Sequence, residues 1–232
     1  MPRAARFTID DGIYHVMTRG NNKQRIFSDD HDCEFYLTLL RSCKIKYGLK
    51  VFHYSLMINH VHLMVEAPTG EKLSSFMKRL NVLYTNYYRK KYGGIGHFFQ
   101  DRFKSFIIQS GRYLLECGIY IDLNPVQAGI VKFPEEYKWS SYSVYANGNE
   151  NDLINLNPEY TDLSDTHEER KKIYKKLVEE RAVEKRDENR FFRVGAYGSK
   201  QFIEEMSRKG LKSRWAHSGT PRWGKIRRTK SR

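Results

Sequence analysis

The first two thirds of the chain change repeatedly between the two-residue period of a strand and the longer period of a helix. Stretches rich in β-branched and aromatic residues predict four strands, at residues 13–18, 51–57, 60–65 and 97–108. Apolar residues three or four apart predict helices between them, one from Asp29 or Asp30 to Tyr47 and a long one through residues 73–88. A third, short helix is predicted at residues 113–123.

Turn and capping residues set the predicted ends of these elements. Either aspartate is a suitable N-cap for the first helix, and Gly48 and Gly93 are of the type that commonly follows the last turn of a helix. We expect Pro125 to stop the third helix, because the residue before a proline is pushed out of helical geometry.

The predicted order of elements is β-α-β-β-α-β-α, which is the ferredoxin-like pattern with one extra helix. It predicts an α+β fold with an antiparallel sheet whose central pair is formed by strands one and three. Helices are expected on one face of this sheet, which leaves the other face for substrate. The third strand would lie in the middle of the sheet.

The third strand carries two histidines, His60 and His62, separated by one valine. Because side chains alternate along a strand, both imidazoles should share one face with Met64, while residues 61, 63 and 65 face the other way. Two imidazoles side by side can supply two ligands of a metal site. On its own, this pattern is more often a matter of packing or of surface than of metal binding.

The third helix carries Tyr120 and Asn124 one turn apart on the same face. If that face met the histidine strand, Asn124 could be a third, oxygen ligand, and the mixed set would suit Mg²⁺ or Mn²⁺. Tyr120 could then attack a phosphate held by the ion. Taken singly, Tyr120 is an ordinary tyrosine, and Asn124 with Pro125 is a helix stop.

The composition points to a polyanionic partner. The 232 residues include 41 Lys and Arg against 27 Asp and Glu, a net charge of +14, and 14% are aromatic. Cations interleaved with aromatic rings suit single-stranded nucleic acid, whose bases are free to stack. A membrane surface is the weaker partner, since the basic residues are not gathered on one amphipathic helix. The chain has no apolar run long enough to span a bilayer.

Candidate DNA contacts come from basic and amide side chains near the predicted sheet. They lie in the loop after the first strand, on the polar face of the long helix and around the fourth strand. These residues are Arg19, Asn21, Asn22, Lys78, Arg79, Arg89, Lys90, Arg102 and Lys104.

The N-terminus and the cysteines predict a cytosolic protein. The first residues contain no apolar segment of a secretory signal. Cys33, Cys43 and Cys117 are odd in number and scattered, so they form no disulfide framework.

A polar, turn-prone stretch at residues 147–152 predicts a boundary between a domain at residues 1–146 and an extension at residues 147–232. A capping box at Thr166–Glu169 opens a charged helix to about residue 181, and residues 199–208 predict a further short helix. From residue 207 onwards the chain has many Lys and Arg and no Asp or Glu, which predicts a basic, phosphate-binding tail.

Several motifs together resemble the single-tyrosine HUH transposases, in particular the branch of REP-associated tyrosine transposases that is IS200-like. The resemblance covers roughly residues 13–145 and is weak beyond them. The motifs that carry it lie at residues 19–22, 59–65, 96–103, 120–129 and 139–142.

The resemblance implies a ferredoxin-like catalytic domain that recognises a hairpin in single-stranded DNA. It implies that His60, His62 and Asn124 are metal ligands and that Tyr120 is the nucleophile. The implied product is a 5′-phosphotyrosine link with a free 3′-hydroxyl, and reversal at a second end rejoins strands. It also implies a bacterial, nucleoid-associated enzyme. The site is built within a monomer or by exchange of the tyrosine helix within a homodimer.

One departure concerns the tyrosine motif, where Ile119 and Asp122 replace basic residues that the family commonly has. This departure puts in doubt any phosphate contact that the basic pair would make. Two other functions stay open from the sequence: a non-catalytic, RRM-like module that binds single strands, and a metal-dependent hydrolase that releases free ends.

Overall fold

The computed structural model describes residues 6–183 and 195–211. Within these residues, five strands form one sheet in the order β2-β3-β1-β4-β5. The strands are β1 Gly12–Arg19, β2 Lys50–Met57, β3 His60–Ala67, β4 Lys104–Ile108 and β5 Ala196–Tyr197. Neighbours among the first four strands are antiparallel, whereas β5 runs parallel to β4.

Helices lie between and after the strands. In the described part of the chain they are α1 Asp30–Tyr47, α2 Gly70–Tyr92, α3 Arg112–Gln127, α4 Tyr142–Asn147, α5 Pro158–Thr161, α6 His167–Val183 and α7 Lys200–Arg208. The predicted ends of α1 are confirmed: Asp29 forms a capping box with Asp32, and Gly48 closes the helix with φ 67°. None of these helices combines the length and the apolar content that crossing a membrane requires.

Strands β1 and β3 form the centre of the sheet, with β2 and β4 outside them. The α+β fold and the central position of the histidine strand are therefore confirmed. In the register of the central pair, Met17 lies opposite His62 and Arg19 lies opposite His60. Directly opposite residues share one face of an antiparallel pair, so this register determines which side chains surround the histidines.

The sheet separates two layers of helix. Helices α1 and α2 cover one face, where Val61, Leu63 and Val65 join the main core. On the other face, Met64 packs with Tyr120 and Ile121 of α3. The predicted division of β3 side chains between the two faces is confirmed. The expectation that the second face stays open is wrong where α3 lies on it, because the apolar residues of α3 need an apolar surface to pack against.

The predicted fourth strand at residues 97–108 is too long, since only Lys104–Ile108 is a regular strand. The preceding residues form a loop that meets β1 at an isolated bridge between Gly20 and Phe99. Phe98 and Phe103 of this loop are buried in the main core. These apolar side chains led to the prediction of a strand, but they anchor an irregular segment to the core.

The prediction that Pro125 stops α3 is wrong, because the proline lies inside the helix. A proline lacks the amide hydrogen that would reach the carbonyl of Ile121. The side-chain amide of Asn124 donates to that carbonyl at 3.4 Å and to the carbonyl of Tyr120 at 2.8 Å. Asn124 therefore supplies a side-chain hydrogen-bond donor to the carbonyl of Ile121, which Pro125 leaves without its usual backbone donor.

The residues after 147 pack on the rest of the fold. Tyr160 of α5 and Tyr174 and Val178 of α6 share a buried cluster with Ile119 and Leu123 of α3. Strand β5, which was not predicted, extends the sheet beyond β4. The position of a domain boundary at residue 146 stays a prediction. The charged stretch at 184–193 and the basic tail beyond 211 lie outside the described residues.

Candidate active site on the histidine strand

The site is built on the face of the sheet that α3 partly covers. His60 and His62 stand on the same side of β3, with ring centroids 4.8 Å apart. Opposite His62 on β1 is Met17, and one step along the same face is His15, whose ring stacks on His62 at 5.1 Å. Three imidazoles therefore lie next to one another in the middle of the sheet.

Hydrogen bonds fix how two of these rings are turned. Nε2 of His15 lies 2.8 Å from Nδ1 of His62, and Oδ1 of Asn59 lies 2.7 Å from Nδ1 of His60. Both rings of the pair on β3 thus use Nδ1 for a protein contact. Nε2 of His62 is buried and has no hydrogen-bond partner among the residues that the structure describes. A buried polar nitrogen without a partner is costly, and a ligand would remove that cost.

The buried rings are uncharged at neutral pH. Burial, together with the nearby His60, lowers the pKa of His15 to about 3. Burial, together with the nearby Arg19, lowers the pKa of His60 to about 4. Burial also lowers the pKa of His62 well below its usual value. Metal ions bind the neutral form of imidazole, so the histidines are in the protonation state that a metal site requires.

Helix α3 brings Tyr120 to the histidines. Its ring centroid is 5.8 Å from that of His15 and 6.0 Å from that of His62, in edge-to-face arrangements. Tyr120 is 4% exposed and Asn124 is 9% exposed. Both contacts of Nδ2 of Asn124 go to carbonyl oxygens, so the amide nitrogen is the donor there. This orientation leaves Oδ1 of Asn124 as an acceptor.

The residues present fit a divalent ion with a mixed nitrogen and oxygen shell. The fit rests first on Nε2 of His62, which is buried and has no partner within residues 6–183 and 195–211. It rests also on the hydrogen bonds at Nδ1 that orient the rings of His60 and His62, from Asn59 and His15. Among the described residues, no three His, Cys, Asp or Glu side chains are arranged to hold a metal. A third ligand therefore has to come from another source, such as an amide oxygen, water or a phosphate oxygen.

Two of the predicted DNA contacts stand on the face of the histidines. Arg19 lies opposite His60, and Lys104 of β4 lies opposite Met17. The ammonium group of Lys104 is partly withdrawn from water, and this burial lowers its pKa. These two cations flank the candidate site from β1 and β4.

The other predicted DNA contacts lie in two loops and on α2. Asn21 and Asn22 form a short turn after β1, where Asn22 has a positive φ of 49°. Arg102 is exposed in the loop before β4. The basic residues of α2 are exposed on the helical layer that lies across the sheet from the site, and they are Lys78, Arg79, Arg89 and Lys90.

The two residues that depart from the family pattern do not face the histidines. Ile119 is buried against the C-terminal helices. The carboxylate of Asp122 is fully buried and accepts hydrogen bonds from Ser141 at 2.6 Å and Tyr174 at 2.7 Å. Nδ1 of His53 lies 3.3 Å from the same carboxylate. Neither side chain is placed to contact a phosphate at the site.

The sequence reasoning missed His15. A signal for it was available, because strand periodicity and the pairing of strands one and three place alternate residues of strand one beside the histidines. To use this signal, one has to know which residues of the two strands lie opposite each other, and the sequence alone does not give that register.

Comparisons with known proteins bear on the family and the fold of the chain. The profile of the family described as "Transposase IS200 like" matches residues 8–124. None of the curated proteins matches the sequence. A solved structure described as the REP-associated tyrosine transposase bound to a REP hairpin is similar, with a TM-score of 0.54 and 18% identity, over 67% of this chain and 95% of that one.

A crystal structure of a protein assigned as a transposase from Deinococcus radiodurans R1 also matches, with a TM-score of 0.32 and 14% identity, over 59% of this chain and 95% of that one. The family match spans half of the chain and includes the histidine strand and the tyrosine helix as far as Asn124. The chain belongs to the IS200-like transposase family. It is therefore a DNA-processing enzyme with a role in transposition.

Proposed function

We propose that this protein nicks and rejoins single-stranded DNA at hairpin-bearing ends, through a covalent 5′-phosphotyrosine link on Tyr120. One observation carries the proposal: the Tyr120 ring packs against His15 and His62, and Nε2 of His62 is buried there with no partner in the described part of the chain. The proposed nucleophile, Tyr120, and a nitrogen suited to bind a metal, Nε2 of His62, therefore belong to side chains that are in contact. In this proposal the site is built in cis, and the packing of Tyr120 against His15 and His62 of the same chain supports that choice.

In this proposal His60, His62 and Asn124 hold a divalent ion, Mg²⁺ or Mn²⁺. The two imidazoles supply nitrogen through Nε2, and the amide supplies oxygen through Oδ1. When bound, the ion withdraws charge from a phosphate oxygen and stabilises the charge that develops in the transition state. A small, mostly neutral ligand set leaves positions for water and for the phosphate itself.

The tyrosine performs the covalent step. The hydroxyl oxygen of Tyr120 forms a bond to phosphorus and gives up its proton to solvent. The bond from phosphorus to the 3′ oxygen breaks, and that oxygen takes up a proton to become a 3′-hydroxyl. The phosphodiester is conserved as a tyrosine ester, so a 3′-hydroxyl from a second end can reverse the step and join strands.

The partner follows from the charge around the site and from the structural neighbour. Arg19 and Lys104 flank the histidines and can contact backbone phosphates on either side of the bond that is cut. The similar solved structure is bound to a REP hairpin. We therefore assign hairpin-bearing single-stranded DNA as the substrate class.

The test is the capture of a protein–DNA adduct. An end-labelled hairpin oligonucleotide is incubated with the protein and Mn²⁺ or Mg²⁺, and the adduct is resolved on a denaturing gel. We expect an adduct with wild type, none with Tyr120→Phe, and none when EDTA removes the metal. Tyr113→Phe, on the same helix and also buried, is the matched control and should form the adduct.

Four outcomes would overturn the proposal. An adduct with Tyr120→Phe would mean that another residue is the nucleophile. Normal nicking by the double variant His60→Ala and His62→Ala would rule out the proposed metal site. Cleavage with turnover and without an adduct would identify a hydrolase, and tight binding without any cleavage would identify a non-catalytic binding module.

A further inference from the structure

We infer that His15 is a positioning residue that fixes the tautomer of His62 and so prepares Nε2 of His62 to bind the metal. The inference rests on the proposed function, because it assigns a role toward the same ion. It is carried by the 2.8 Å contact between Nε2 of His15 and Nδ1 of His62. His15 itself reaches the metal site only through His62.

The contact allows two arrangements of one proton. In the first, Nδ1 of His62 carries the proton and donates to the lone pair on Nε2 of His15. In the second, Nε2 of His15 carries the proton and donates to Nδ1 of His62. A neutral imidazole carries one proton on one of its two nitrogens. The position of the proton at this contact therefore decides whether Nε2 of His62 is protonated.

Only the first arrangement is compatible with a metal ligand. It leaves an unprotonated lone pair on Nε2 of His62, the atom that is buried and has no partner among the described residues. The second arrangement would place a proton on that atom and block the metal. Metal-ligating histidines commonly donate their other ring N–H to a fixed acceptor, and here the acceptor is a second imidazole.

The surroundings of His15 hold it in place for this task. The residue is 1% exposed on β1, in the middle of the sheet. Its ring stacks on His62, lies 6.1 Å from the ring of Phe106 and meets Tyr120 edge to face. Packing on these sides leaves the ring little freedom to turn away, so the hydrogen bond is preorganised before any metal binds.

A direct test reads the tautomers in the metal-free protein. Long-range nitrogen–proton NMR spectra of the histidine side chains, assigned by single His→Phe variants, report which nitrogen of each ring carries the proton. We expect the Nδ1-protonated form for His62. The Nε2-protonated form for His62 would overturn the inference without any recourse to activity.

A second test uses variants that change only the acceptor. His15→Phe keeps a ring in the stack but removes the acceptor, whereas His15→Gln keeps an amide oxygen that can accept from His62. Affinity for Mn²⁺, followed by the electron paramagnetic resonance signal of the free ion, should fall roughly 10- to 100-fold in His15→Phe and recover in His15→Gln. Phe106→Leu, which alters the packing around His15 but not the hydrogen bond, should bind Mn²⁺ like wild type.

The outcomes separate this inference from the proposed function. If wild type binds Mn²⁺ and forms the adduct while His15→Phe binds equally well, His15 has no positioning role and the proposed function stands. Equal losses in His15→Phe and Phe106→Leu would make the effect one of packing and overturn the inference. If wild type neither binds Mn²⁺ nor forms an adduct, both fail together.

Discussion

The hydroxyl of Tyr174 donates a 2.7 Å hydrogen bond to the carboxylate of Asp122, and this contact joins helix α6 to helix α3. Both side chains are fully buried. Burial raises the pKa of Tyr174 well above its usual value, and the nearby carboxylate raises it further, so the phenol remains a donor. Because Asp122 lies between Tyr120 and Asn124 in the sequence, the contact anchors the part of α3 that faces the histidines.

Removing that donor should destabilise the protein. Tyr174→Phe deletes one hydrogen bond to a buried carboxylate, and we expect the free energy of unfolding to fall by about 1.5–3 kcal/mol in urea titrations. Tyr47→Phe, at a partly exposed tyrosine on α1, is the control and should change it by less than about 0.5 kcal/mol. Equal effects of the two variants would show that the contact with Asp122 contributes nothing.

A glycine allows α3 to approach the sheet closely. A Cβ atom at Gly118 would lie 2.4 Å from Nε2 of His53, a fully buried ring on β2. Alanine in a helix is normally better than glycine by about 0.5–1 kcal/mol. At this position the clash should outweigh that gain, since overpacking a core costs typically about 1–3 kcal/mol.

Gly118→Ala should therefore lower the midpoint of urea unfolding, and the double variant with His53→Ala identifies the cause. In the His53→Ala background the clash is absent, so Gly118→Ala should be neutral or stabilising. The same loss in both backgrounds would exclude the ring of His53 as the obstacle.

Local rules of chain geometry account for the parts of the fold that were predictable. The two-residue period placed His60 and His62 on one face of β3 because successive side chains of an extended backbone point to opposite faces of the sheet. Asp29 and Gly48 marked the ends of α1 because capping chemistry is local in sequence.

Contacts between distant residues account for what was not predictable. Strand β5 is two residues long and has no periodic pattern; it forms by pairing with β4. Asp122 appeared as a departure from a phosphate-binding motif, and its partner Tyr174 is 52 residues away. The role of Pro125 depended on whether Asn124 would donate to the helix backbone, which sequence spacing does not reveal.

The buried histidines predict how stability depends on pH in the metal-free protein. Burial lowers the pKa of His15 to about 3 and of His60 to about 4 in the folded state, against an unfolded value of about 6.5. As the pH falls below that value, the unfolded chain takes up protons that the folded chain does not. The free energy of unfolding should therefore decrease from pH 7 to pH 5, by at most about 1.4 kcal/mol per pH unit for each histidine.

Urea titrations in EDTA between these pH values measure the slope. His15→Phe removes one of the contributing groups and should flatten the dependence. His31→Gln, which alters an exposed histidine on α1, should leave the slope unchanged. A wild-type protein whose stability does not change over this range would contradict the buried, neutral state of the three rings.

DNA bound on the face of the histidines and DNA bound on the layer of α1 and α2 would respond differently to the removal of single charges. Arg19 and Lys104 lie on the face of the histidines, whereas Lys78 lies on α2 across the sheet. If DNA approaches the histidines, Arg19→Gln and Lys104→Gln should weaken binding of a hairpin oligonucleotide at low salt. Each should also reduce the slope of log affinity against log salt by about 1, since one phosphate contact is lost.

Lys78→Gln is the matched control, because it removes the same amount of charge and leaves the face of the histidines unchanged. Fluorescence anisotropy in EDTA over a range of NaCl concentrations measures all three variants without cleavage. A larger loss for Lys78→Gln than for the other two would place the DNA on the layer of α1 and α2. In that case, the scissile phosphate could reach Tyr120 only by passing around the edge of the sheet, and the proposed active site would have to be abandoned.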